Sequence, residues 1–76
     1  MKTTFTAYDD VKWTRFKARH ATGRPAVWSF GRSAKSRMWF LREPDGYVRA
    51  LEETWTDSAP QIHRILRNYD LKADIS

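Results

Sequence analysis

Residues 12–49 carry ten basic side chains, Lys12, Arg15, Lys17, Arg19, Arg24, Arg32, Lys35, Arg37, Arg42 and Arg49, against two acids, Glu43 and Asp45. Ten bases less two acids give +8 for this segment, whereas the whole chain carries +5, so the remainder is net acidic. Trp13, Phe16, Trp28, Phe30, Trp39, Phe40 and Tyr47 are interleaved with those charges. The chemistry such a block supports is recognition. Lys and Arg neutralise phosphates and release counterions, and aromatic faces stack unpaired bases at roughly 1–3 kcal/mol per base. Arg outnumbers Lys seven to three in the block, and a guanidinium both forks onto phosphate and stacks on rings. Trp, Tyr and Arg are also the hot-spot residues of protein interfaces. An acidic protein surface is therefore the second partner class beside nucleic acid.

The residues assigned to binding are Trp13, Arg15, Lys17, Arg19, Arg24, Trp28, Arg32, Lys35, Arg37 and Trp39. A domain this small also needs rings in its core, which claims about half of them. Trp13, Trp28 and Trp39 remain as the candidates for exposure.

Bond-making chemistry finds little support. His20 and His63 are the only neutral-pH bases, and neither lies in a local motif with a nucleophile and an acid. The pairs Asp9–Asp10 and Glu52–Glu53 are sequence neighbours, which point apart in helix or strand and so make poor twin carboxylates. Gly31-Arg32-Ser33-Ala34-Lys35-Ser36 lacks the second glycine of a phosphate-binding loop. Without cysteine, disulfides and cysteine-ligated zinc are excluded, and two histidines are too few for an ordinary structural zinc site. No catalytic residue, metal, cofactor or small-molecule substrate is expected.

The elements that must position the basic block are legible to different degrees. Ser58 and Gln61 have the spacing of a capping box, and Pro60 suits a first helical turn. Ile62, Ile65, Leu66 and Tyr69 then recur at i, i+3, i+4 and i+7, which predicts an amphipathic helix from about Ser58 to Tyr69 with His63 on its solvated side. Residues 37–42 and 47–52 read as two strands joined by Glu43-Pro44-Asp45-Gly46, a turn in which Gly46 takes φ > 0. Residues 26–32 read as a strand with Ala26, Trp28 and Phe30 on one face and Ser29 and Gly31 on the other. Ser33-Ala34-Lys35-Ser36 reads as an exposed loop. The stretch 13–19 is open to two readings: a strand turning at Thr22-Gly23-Arg24-Pro25, favoured by Trp, Thr and Phe, or a helix capped by Asp9 and Asp10.

Seventy-six residues make a single small domain, residues 1–76, with a thin stability margin. Large aromatic core residues or self-association into a homodimer would make up the difference. No stretch approaches the ~18 consecutive apolar residues of a membrane span. The N-terminal MKTTFTAYDD has no apolar core of a secretory signal, so no membrane association and a cytoplasmic location are expected. The sequence predicts an α+β fold, an antiparallel sheet of three to four strands with a C-terminal amphipathic helix packed on one face. The expected function is a small non-enzymatic binding module for nucleic acid. The alternative is a small inhibitor or adaptor that binds an acidic protein surface, for example that of nucleic-acid-handling machinery.

Overall fold

The computed structural model describes residues 8–21 and 23–75. Thr22 of the expected first turn and residues 1–7 of the N-terminal stretch lie outside them. The order of elements is β1 (Thr14–His20), β2 (Pro25–Arg32), β3 (Trp39–Arg42), β4 (Val48–Ala50), α1 (Trp55–Asn68) and β5 (Leu71–Ala73). The strands form one antiparallel sheet in the order β4-β3-β2-β1-β5. The fold is thus α+β, but the sheet has five strands rather than three to four. The helix lies between β4 and β5 rather than at the C-terminus. The strand reading of 13–19 holds and the helical one does not: Trp, Thr and Phe outweigh the capping signal of Asp9 and Asp10.

Residues directly opposite each other in a sheet share a face. The register Phe16↔Trp28, Ala18↔Ala26, Phe30↔Leu41 and Ala18↔Ala73 therefore gathers one apolar face from four strands. Helix α1 covers it. Ile62 and Leu66 are fully buried there with Ala18, Trp28, Leu41, Leu51 and Leu71. Phe30, Trp39 and Trp55 form a ring cluster at the border, with Trp55 centred 4.8 Å from each of the other two. Ile65 is only half-buried. Tyr69 is exposed, although its ring meets Trp28 edge-on at 5.6 Å.

The helix begins a turn earlier than its sequence suggests. Thr54 is the N-cap, its hydroxyl accepting from the Asp57 N–H at 3.1 Å, and Asp57 places a negative charge in the first turn. Pro60 consequently sits inside the helix. Ser58 is buried, and its hydroxyl accepts from the Glu52 N–H (3.1 Å) and donates to the Glu52 carbonyl (3.3 Å). It ties the helix to the chain leaving β4 and caps nothing. His63 is half-buried, with Nε2 3.1 Å from the Ile75 carbonyl oxygen.

Gly46 has φ +95°, as the β3–β4 turn requires, and its N–H donates to the Glu43 carbonyl at 2.9 Å. Arg37, expected in a strand, instead has φ +65°. Its N–H closes the β2–β3 loop onto the Ser33 carbonyl, so β3 starts only at Trp39. Ser33, expected on an exposed loop, is fully buried: its hydroxyl donates to Asp10 Oδ1 at 2.6 Å and accepts from the Ser36 N–H.

Candidate nucleic-acid interface

Among the described residues, no secondary structure packs on the face of the sheet opposite α1. By the same register, Arg15, Lys17 and Arg19 of β1, Val27, Ser29 and Gly31 of β2, Phe40 and Arg42 of β3, Val48 and Ala50 of β4, and Lys72 of β5 share that face. Its strand positions hold five cations and no carboxylate. Arg15, Lys17 and Arg19 alternate along one strand, so their Cα atoms repeat at about 6.7 Å. Lys72 lies opposite Arg19, and Arg15, Ser29 and Arg42 form one cross-strand row. Arg42 is thus two strand spacings, about 9.6 Å, from Arg15. Between the β1 file of three cations and the single Arg42 of β3 runs β2, with the exposed Val27 and the buried Ser29. By side-chain length this leaves a shallow furrow with the β1 cations along one wall and Arg42 on the other.

The chain before β1 crosses the far end of this face. Val11 is buried against Gly31, Tyr8 meets Phe40 edge-on at 5.5 Å, and Trp13 lies under the Arg42 guanidinium, 5.7 Å from ring centroid to Cζ. Asp10 fixes this segment, accepting from the Ser33 hydroxyl and, at 3.1 Å, from the Lys35 N–H. The Ser33 hydrogen bond is the main reason its carboxyl titrates below the ordinary value. The stacked Trp13 holds the Arg42 guanidinium over the face, a cation–π contact that restricts a long side chain without neutralising it.

The residues assigned from sequence fall into separate places. Arg15, Lys17, Arg19 and the half-buried Trp13 lie together on the open face. Arg24 is exposed in the β1–β2 connection. Trp28, 2% exposed, is a core residue and offers no stacking surface. Trp39 is half-buried in the helix-side ring cluster. Arg32, Lys35 and Arg37 lie at the opposite end of the sheet from Arg19, in and beside the β2–β3 loop. There Arg32 pairs with Trp39 in register and so points to the helix side. Arg42 and Lys72 were not assigned to the site and belong to it. Arg42 is signalled by its alternation with Leu41 in a strand. Lys72 becomes visible only once Leu71–Ala73 is recognised as a strand.

Arg49 belongs elsewhere. It faces the helix side opposite Leu41, its Nε donates to Glu43 Oε2 at 2.8 Å, and its Nη2 donates to the Tyr69 hydroxyl at 3.2 Å. Those partners, Glu43 first, raise its pKa and hold it in a structural role. Among the described residues no group of three or more His, Asp or Glu is placed to hold a metal ion, and no helix is long and apolar enough to cross a membrane. No protein-family model, curated protein or solved structure matches the chain.

Proposed function

We propose that this chain is a small non-enzymatic module that binds nucleic acid by its phosphate backbone, using the open face of the sheet. The observation that carries the reading is the set Arg15, Lys17, Arg19, Arg42 and Lys72 on one face with no carboxylate among its strand positions. A sugar–phosphate strand lying along the furrow over Val27 and Ser29 would meet β1 cations on one side and Arg42 on the other. Contacts of this kind position a protein on nucleic acid without reading sequence.

Ring burial favours this reading over an acidic protein partner. Protein interfaces concentrate their energy in aromatic and Arg anchors within a desolvated apolar centre. Here Trp28 and Trp39 are withdrawn to the helix side, Trp13 lies beneath Arg42, and among the described residues the exposed apolar positions on the basic half of the face are Val27, 47% exposed, and Pro25. That surface is poor in anchors and rich in phosphate donors.

The test is titration with duplex and single-stranded oligonucleotides of mixed sequence at about 0.15 M salt, the physiological reference for screening. The reading expects binding to several unrelated sequences with similar affinity. Failure to bind any of them at that salt would move the assignment to a protein partner with an acidic surface.

A further inference from the structure

Strand β5 pairs with β1 only from Ala18 to His20, so the Arg15–Lys17 stretch of β1 runs past the end of the sheet's last ladder. The gap is an open cleft of about 810 Å³ lined by Arg15, Phe16, Lys17, Arg19, His20, Lys72, Ala73 and Asp74. It wraps the edge of the sheet. Arg15, Lys17, Arg19 and Lys72 reach it from the open face, whereas Phe16 and Ala73 belong to the helix side. Phe16 is half-buried and inclined against Phe30, with centroids 5.7 Å apart. Asp74 is the one carboxylate of the lining and is exposed. Four cations, the rings of Phe16 and His20 and one carboxylate ask for a ligand with an anionic part, a flat part and a hydrogen-bond donor.

Resting on the nucleic-acid reading of the open face, we propose that this cleft holds one unpaired nucleotide of the bound strand. Its phosphate stays on the open face with Lys17, Arg19 and Lys72, continuing the backbone contacts of the furrow. Its base turns over the β1 edge onto Phe16, and Asp74 accepts a hydrogen bond from an exocyclic amine or a sugar hydroxyl. A base paired within a duplex cannot make that turn, because it would have to leave its stack. The preferred ligand is therefore a duplex with a short single-stranded extension.

Three duplexes of equal phosphate count, differing only at one terminus, test this. One is blunt, one has a single-nucleotide overhang, and one has the same overhang without its base, with 5′ and 3′ overhangs tried separately. Stacking of a single base corresponds to about fivefold or more in affinity. The base-bearing overhang is expected to bind at least that much more tightly than the abasic one, and the abasic one no better than the blunt duplex. Asp74→Asn, a change at an exposed position, should reduce the preference for adenine, guanine or cytosine overhangs relative to thymine, which lacks the amine. Equal affinity for base-bearing and abasic overhangs, with Arg42→Ala still weakening all three duplexes, would overturn the cleft assignment and leave the open-face reading standing. Absence of binding to every duplex would overturn both.

Discussion

Replacing Gly31 by alanine should dislodge the chain segment that crosses the open face. Gly31 lies in β2 without a positive φ, so the glycine is there for space. A Cβ at this position would overlap Val11 Cγ1 and stand 2.6 Å from the Lys12 carbonyl oxygen. The second obstacle is backbone, so a side-chain rotation cannot relieve it. If the segment stays in place, overpacking costs about 1–3 kcal/mol. If it lifts away, the chain gives up the burial of Val11, roughly 1.5–3 kcal/mol, and the Tyr8–Phe40 edge contact, roughly 0.5–1.5 kcal/mol. The cheaper response sets the loss, about 1–3 kcal/mol, against a total of roughly 4–11 kcal/mol for a domain of this size. Melting should fall by roughly 4–24 °C. Urea denaturation of Gly31→Ala, Val11→Ala and the double variant tests the cause. Because both substitutions act on one contact, the double variant should be no less stable than Gly31→Ala alone. Melting of Gly31→Ala within about 2 °C of the parent, or full additivity of the two changes, would refute the reasoning.

Leu66→Ala should cost about 2–5 kcal/mol, because Leu66 is fully buried beneath the helix. Ile65→Ala should cost clearly less, since Ile65 is half-buried, and comparing their denaturation midpoints checks the ordering. Gly46→Ala should destabilise the β3–β4 hairpin by roughly 1–2 kcal/mol, the expense of placing a Cβ in a left-handed backbone. An unchanged midpoint would contradict the turn geometry. The folded-state pKa of Asp10 lies below the ordinary 3.8. Its contribution to stability should therefore be fully present above that value and be lost as pH falls through the folded-state pKa. The stability difference between the parent and Asp10→Asn, followed by urea titration across the acid range, should shrink with falling pH, and a difference that grows in acid would reverse the sign.

The hairpin, the central strand and the apolar stripe of the helix were readable because each rests on a local rule. Pro44 and Gly46 dictate a turn, Ala26, Trp28 and Phe30 alternate, and Ile62 and Leu66 keep helical spacing. The helix start was misread because Ser58, Pro60 and Gln61 imitate an N-terminus. The actual cap, Thr54, precedes Trp55, whose ring is claimed by the tertiary contacts with Phe30 and Trp39. Strand β5 is three residues long and exists through its pairing with β1, a non-local interaction that leaves little trace in Leu71-Lys72-Ala73. That omission concealed Lys72 and the edge cleft. The basic character of β1 was visible in Arg15, Lys17 and Arg19, but composition could not separate them from Arg32, Lys35 and Arg37. Only the register distinguishes one face from the far end of the sheet. Ring exposure was equally hidden: Trp28 and Trp39 have the same chemistry as Trp13 and differ in which side of the sheet they occupy.

The most direct test of the central claim is the salt dependence of duplex binding across single-residue variants. Each phosphate contact contributes about 0.9 to the slope of log K against log salt concentration. Five engaged cations would give a slope near −4.5 by the same relation. Arg15→Ala, Lys17→Ala, Arg19→Ala, Arg42→Ala and Lys72→Ala should each make it shallower by about 0.9, whereas Arg64→Ala and Arg67→Ala, exposed on the helix side, should leave it unchanged. Equal reductions from the helix variants would show that net charge, and not the open face, holds the nucleic acid, and would contradict the account.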